Sequence, residues 1–257
     1  MSHLQAADTT DKLVLWDLNS KLPQPQWSPN TMKVRSVLNF RCIPFVTKFV
    51  TYMDFPGMLE QAGGKPWPDA PHYTLPAISH KGCIVMGSDE IVEYLEKEFT
   101  LEPSVFFSID ALAESKALNR MAPSVYKATA GIVGAFTYNI LLESDLQCYR
   151  DIYSRFQIDI TQILKDPEAI QEQWTVAQKF LNEFEGFTSK DFTPQQLSCL
   201  KSGEYLFGNH CSYADLHYFS LVFWAVTSYQ QYSGGKTELI TDGWLRGWYD
   251  RMSIYKV

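Results

Sequence analysis

The sequence has no apolar run near the roughly 18 uncharged residues that a membrane span requires, so no membrane partner is expected. Its first residues, MSHLQAADTTDK, lack the basic-then-apolar layout of a secretory signal. Five cysteines, Cys42, Cys83, Cys148, Cys199 and Cys211, include no close pair and no metal-binding spacing. That usage points to reduced thiols and a cytoplasmic protein rather than a disulfide framework. His3, His72, His80, His210 and His217 are scattered as well, and no metal is expected. Positive charge is in deficit: 22 Lys and Arg against 29 Asp and Glu leave a net −7. Phosphate contacts need a basic face, so nucleic acid is not an expected partner. Internal repeats and low-complexity tracts are absent too.

What is present is a sizeable apolar fraction, 46% of 257 residues with 14% aromatic, enough to build a core in one large domain or two modest ones. The first hundred residues read as mixed α/β. KLVLWDL (Lys12–Leu18) is a short β-rich apolar run, hence a strand. From Pro29 the pattern turns helical, with Val34, Val37 and Leu38 as an apolar stripe that Arg41 extends. Ile43–Tyr52 is β-branched and aromatic, a second strand. The Gly- and Pro-rich stretch after it predicts a loop with at most a short helix. Thr74–Ile78 and Cys83–Met86 predict a hairpin, and Ser88–Phe99 a helix with Ile91, Tyr94 and Leu95 on its buried stripe.

After TLEPS (Thr100–Ser104) the texture changes. Glycine becomes sparse and long helical patterns take over, at Ala111–Asn139, Leu146–Leu164, Glu168–Glu185 and Ser212–Gln231. The expected division is therefore a first domain over residues 1–102 and an all-helical one over 103–257.

Four short motifs carry chemistry. In YTLPAI, Pro76 removes a ladder donor and belongs at an edge or bend. It is an ordinary edge proline, or a cis Leu75–Pro76 bond that leaves the Leu75 backbone free for a peptide-like ligand. In GSDEIVEYLE, Ser88 is a helix cap, or part of an anion site at a helix N-terminus where free N–H groups and the positive dipole end point outward. In CSYADL, Ser212 and Asp215 have capping-box spacing and start a buried helix. In WSPNTMK, Pro29 suits the first helical position and Ser28 the cap. A serine nucleophile needs a neighbouring base. No histidine lies in this part of the chain, and Lys33 sits too far along the helix.

Taken together, Ser28-Pro29, Leu75-Pro76, Ser88 with Ile91, Tyr94 and Leu95, and Ser212 with Asp215 resemble a cytosolic glutathione transferase over nearly the whole chain. The Pro- and Gln-rich insert before WSPNT, and YTLPAI itself, look closest to the fungal etherase-related, FuA-like class. The resemblance implies a thioredoxin-like N-terminal domain that binds glutathione, and an all-helical C-terminal domain that supplies a pocket for an apolar co-substrate. It implies that the Leu75 backbone pairs with the cysteinyl group, beside Pro76, and that Ser88 and its N–H hold the γ-glutamyl carboxylate. The family usually has an acid just before this serine; Gly87 stands there instead, and Asp89 is the candidate to replace it against the ligand's ammonium. A homodimer is expected from the same resemblance.

The implied mechanism is electrostatic. Ser28 donates O–H to the thiolate, and the helix N-terminus adds positive potential. Asn30 is a second donor or a local cap, and Trp27 and Trp16 are candidate site walls. Serine cannot form a mixed disulfide, and Cys42 lies well down the same helix. Conjugation of glutathione to an apolar, aromatic electrophile therefore ranks above thiol–disulfide reduction. β-Aryl-ether cleavage and non-catalytic binding of phenolic compounds are the alternatives.

Overall fold

The structure, a computed structural model, describes residues 12–68, 72–100, 103–235, 239–241 and 243–257. Residues 1–11, with His3, lie outside the described residues, and so does part of the expected boundary at 102/103.

The N-terminal half runs β1 (Leu13–Leu18), α1 (Pro29–Phe40), β2 (Phe45–Val50), α2 (Phe55–Gln61), β3 (Ala77–His80), β4 (Cys83–Met86) and α3 (Ser88–Glu98). The strands form one sheet in the order β2-β1-β3-β4. β1 and β2 are parallel, and the other two pairings are antiparallel. A parallel pair needs a crossover, and α1 supplies it. This is the thioredoxin-like arrangement expected from the sequence.

The central strand β1 is apolar on both faces because both are covered. Leu13 and Leu15 pack into the main core with Val34, Val37 and Leu38 of α1 and Ile91, Val92 and Leu95 of α3. On the other face Trp16 packs with Val50, Leu59 and Ala77 under α2. One charged pair is buried in this layer: Arg35 reaches Asp17 at 3.0 Å. The first β3 residue is Ala77, later than the sequence suggested, because the ladder to β1 ends at the Trp16–Ala77 pair.

The second half is helical: α4 (Ile109–Tyr138), α5 (Leu146–Ser154), α6 (Ile160–Ile163), α7 (Pro167–Glu183), α8 (Pro194–Cys199), α9 (Tyr213–Ser233) and α10 (Gly243–Met252). α9 is buried along most of its length and packs against α4 on one side and α1 on the other. Its start is the capping box read from the sequence, with Ser212 accepting from Ala214 N–H and Asp215 accepting from Ser212 N–H at 3.1 Å. The pattern over Leu146–Leu164 is not one helix. It breaks around Gln157, whose φ is +60°, and Asp159 caps the short α6. α8 and α10 fall outside the helical patterns expected from the sequence. α10 carries two glycines and three aromatics in ten residues, GWLRGWYDRM, which hides its helical period.

Candidate functional site

The loop before α1 is tied down at several points. Ser20 Oγ donates to the Pro25 carbonyl at 2.8 Å, and Lys21 N–H donates to the Ile140 carbonyl at 2.8 Å. Trp27 Nε1 donates to the Asn19 carbonyl at 3.2 Å, and its ring stands edge-on to Tyr149. The Pro- and Gln-rich insert thus fixes where α1 begins.

Ser28 occupies the N-cap position with extended backbone, and its carbonyl accepts the first helical bond from Met32 N–H at 2.9 Å. Its side chain makes no capping bond. A serine in this position ordinarily turns its oxygen onto the N2 or N3 amide. Here the hydroxyl makes no such bond, and Ser28, only 7% exposed, is among the residues lining a cavity of about 620 Å³. Trp27, Pro29 and Asn30 line the same cavity. Asn30 is exposed, and its Oδ1 accepts from the Tyr126 hydroxyl at 3.3 Å. Cys42 sits at the other end of α1, about 18 Å away by helical rise, and is exposed.

The remaining walls come from distant segments: Tyr52 after β2, Tyr126 and Ala130 on α4, Tyr149, Ile152 and Tyr153 on α5, Phe156 just beyond it, and Trp224 on α9. Lys127 is at the rim. The lining is aromatic with hydroxyl tips. Burial pushes the Tyr153 phenol up to about 12, and it raises Tyr52, Tyr126 and Tyr149 as well. All four stay protonated near neutrality and offer neutral donors. Tyr149 donates to Tyr153 at 3.2 Å. Trp16 is not part of this wall. It lies across the sheet with its Nε1 donating to Ser79 Oγ at 2.7 Å, because β1 alternates faces and position 16 points toward α2.

The second locus is the turn into α3. The Leu75–Pro76 bond is cis. Gly87 N–H donates to the Pro76 carbonyl at 3.1 Å, which seats the helix start beside that bond. Gly87, with φ +89°, takes the cap position, and Ser88 is the first helical residue, one place later than a capping serine. The first intrahelical donor is Ile91 N–H. The Ser88, Asp89 and Glu90 amides therefore lack helical partners, the property that makes such an end attractive to an anion.

Asp89 does not face open solvent. Its carboxylate accepts from the Tyr213 hydroxyl at 2.7 Å and from Asn119 Nδ2 at 2.9 Å, joining α3 to α9 and α4. Behind it, Lys33 on α1 is buried, and burial lowers its pKa although Asp89 and Glu90 attract its charge. His217 on α9 is fully buried, with no hydrogen-bond partner for either ring nitrogen, and stays neutral. Trp67, from the Gly- and Pro-rich loop, donates Nε1 to Thr74 Oγ1 at 3.0 Å and brings its ring next to Gly87. Nothing in its local sequence marked Trp67 for this place.

Residues 27–98, from Ser28's neighbour to the end of α3, match the family model described as the glutathione S-transferase N-terminal domain. The glutathione S-transferase-like protein ustS of Aspergillus flavus is 32% identical over 109 residues, 38% of this chain and 39% of that protein. The chain therefore aligns with well under half of that relative's length. Among solved structures, a glutathione S-transferase of Ceriporiopsis subvermispora in complex with glutathione superposes with a TM-score of 0.75 at 23% identity, covering 96% of this chain and 98% of that one. Glutathione transferase GSTFuA3 of Phanerochaete chrysosporium superposes with a TM-score of 0.69 at 24% identity, covering 96% and 98%. The N-terminal sheet with its helices and the helical half after it thus share the fold of these fungal proteins. Among the described residues no cluster of His, Cys, Asp and Glu is arranged to hold a metal ion, and no described helix is long and apolar enough to cross a membrane.

Proposed function

We propose that the protein is a glutathione transferase in which Ser28 stabilises the glutathione thiolate for attack on an aromatic electrophile. The observation that carries the reading is Ser28 at the start of α1, its hydroxyl free of any capping bond, among the residues lining an aromatic cavity. A free thiol has a pKa of about 8.5, so only a few per cent is thiolate at neutral pH. Each unit of depression corresponds to about 1.4 kcal/mol. A donated O–H and the positive end of α1 both favour the anion. The thiolate sulfur forms a bond to the electrophilic carbon, and the leaving group departs with its electron pair.

In this reading residues 1–102 bind glutathione, with the Leu75 backbone on the cysteinyl unit and Ser88 with its N–H on the γ-glutamyl carboxylate. Residues 103–257 supply most of the aromatic wall. The protein acts as a cytoplasmic homodimer, for which sedimentation at micromolar concentration is the check; a purely monomeric species would overturn that part.

The deciding experiment is conjugation of glutathione to a chloro-dinitro-aromatic acceptor by wild type and Ser28→Ala. The rate is expected to fall at least about tenfold, the loss of one donor to developing charge. An unchanged rate would remove Ser28 as the activator and move the assay to Asn30→Ala.

A second reading, a non-catalytic binder of phenolic compounds, is favoured by Gly87, which stands where the family has an acid. Ligands of the native state raise the melting temperature. A shift with phenolics and none with glutathione would select the binder.

A further inference from the structure

We propose that Asp145 is a positioning residue for the acceptor: it ties Tyr52 of the N-terminal half to the start of α5, and so sets the spacing of the tyrosine walls between which an aromatic electrophile lies. The assignment rests on the transferase reading above and goes beyond it, because Asp145 is not itself among the residues that line the cavity.

Asp145 closes the single 3-10 turn Glu143–Asp145 and stands at the N-cap of α5. An aspartate in that place ordinarily turns its carboxylate onto the first amides of its own helix. This one makes no capping bond. Its Oδ1 instead accepts from the Tyr52 N–H at 2.8 Å, across 93 positions of chain. The residue is fully buried, and its Oδ2 has no hydrogen-bond partner. Among the described residues, the bond to Tyr52 is therefore the one hydrogen bond that this carboxyl makes. Burial keeps water from competing for it.

The role follows from what the bond joins. Tyr52 lies just past the end of β2, and its ring stands 6.1 Å from that of Tyr149. Tyr149 is one helical turn beyond Asp145 and Tyr153 one turn beyond that, their rings 4.8 Å apart. All three tyrosines line the cavity. One short bond thus fixes the backbone of one wall to the root of the other. A second contact between the halves lies nearby, the Lys21–Glu143 pair at 2.9 Å, but it is exposed and neither of its residues lines the cavity. Such a pair holds little. Small misplacements of a positioning wall change reactivity strongly, so the buried bond is the one that matters to an acceptor.

The test uses the full-length protein as wild type, Asp145→Ala, Asp145→Asn and Lys21→Ala. Each is assayed for conjugation of glutathione to chlorodinitrobenzene, with each substrate varied in turn, and for fluorescence titration with anilinonaphthalenesulfonate. Asp145→Ala is expected to raise the acceptor KM and the probe Kd about fivefold, with the glutathione KM kept within about twofold. Asp145→Asn presents an amide oxygen to the same N–H and should stay within about twofold of wild type on every measure. Lys21→Ala should match wild type. A merely structural role would reduce the folded fraction and the apparent kcat, and would leave both KM values where they were. An unchanged acceptor KM in Asp145→Ala would overturn the assignment, as would an equal rise in the glutathione KM, an equal rise in Lys21→Ala, or an Asp145→Asn as impaired as the alanine variant. If Asp145→Ala does not fold, Asp145→Ser, whose hydroxyl is too short to reach the amide, takes its place under the same criteria. A folded wild type that neither conjugates the acceptor nor binds the probe would overturn the reading of the cavity, and the Asp145 assignment with it.

Discussion

The Tyr153 ring lies directly on the backbone of Gly134: a β-carbon on Gly134 would be 2.3 Å from the Tyr153 hydroxyl oxygen and 2.4 Å from its Cζ. Two helices, α4 and α5, approach closely enough to form the cavity wall because this position has no side chain. Gly134→Ala should therefore push Tyr153 toward the cavity. The helix gains up to about 1 kcal/mol from replacing glycine, while overpacking costs about 1–3 kcal/mol, so overall stability should change little or fall modestly. The KM for an aromatic acceptor is expected to rise several-fold, with glutathione affinity kept. Steady-state kinetics with each substrate varied in turn would check this, and an unchanged acceptor KM would refute it.

Ser28→Ala separates two roles that a serine at a helix start can have. Loss of an ordinary N-cap costs about 1 kcal/mol. The Ser28 hydroxyl makes no capping bond, so urea denaturation should find the variant destabilised by clearly less than that, even as catalysis falls. A full capping penalty would mean that the hydroxyl turns onto the helix in solution.

Asp215 shows the opposite behaviour. Its carboxylate accepts from Leu206 N–H at 2.8 Å, Trp248 Nε1 at 2.9 Å and Ser212 N–H at 3.1 Å, and the residue is buried. It ties the start of α9 to the preceding loop and to α10. Asp215→Ala strands several buried donors, each worth about 1–3 kcal/mol when left unpaired, so a loss of about 3 kcal/mol or more is expected in the same denaturation experiment. A cost below about 1 kcal/mol would contradict this role.

Glu114 on α4 should give stability a pH dependence of its own. Burial first, then the Asp215 and Asp110 carboxylates, push its carboxyl up from 4.5 to about 7. Between these values the folded protein keeps a proton that the unfolded chain releases. Its contribution to stability is therefore fully present at low pH and is lost as pH rises toward about 7. Melting temperatures of wild type and Glu114→Gln, followed from pH 4.5 to above 7, should diverge with rising pH and then run parallel. Curves parallel throughout would show that Glu114 titrates alike in both states.

What the sequence determined by itself was whatever rests on local chemistry. Pro29 after Ser28 sets the start of α1, the Ser212–Asp215 pair sets the start of α9, and Val34, Val37 and Leu38 set the part of α1 that joins the main hydrophobic core. These depend on neighbours three or four positions away, and the periods of helix and strand make such neighbours visible in the chain itself. Even the element order of the N-terminal half was legible, since the turns and apolar runs follow one another without interruption. α10 escaped because its glycines and aromatics obscure the helical period, and it is held instead by Trp248 reaching Asp215 across 33 positions.

Only the tertiary structure decided where side chains commit. Trp16 and Trp27 read alike in sequence, yet one faces α2 and the other the cavity. The cavity wall joins Tyr52, Tyr126, Tyr149 and Trp224, which no local pattern connects. Asp89 and Glu90 are adjacent acids in the first turn of α3, and a helix turns successive residues about 100° apart. One carboxylate therefore meets Tyr213 and Asn119 in the helical half, and the other falls back over Gly87. Hydrogen-bond partners brought together by folding, not the residue type, separate these two neighbouring acids.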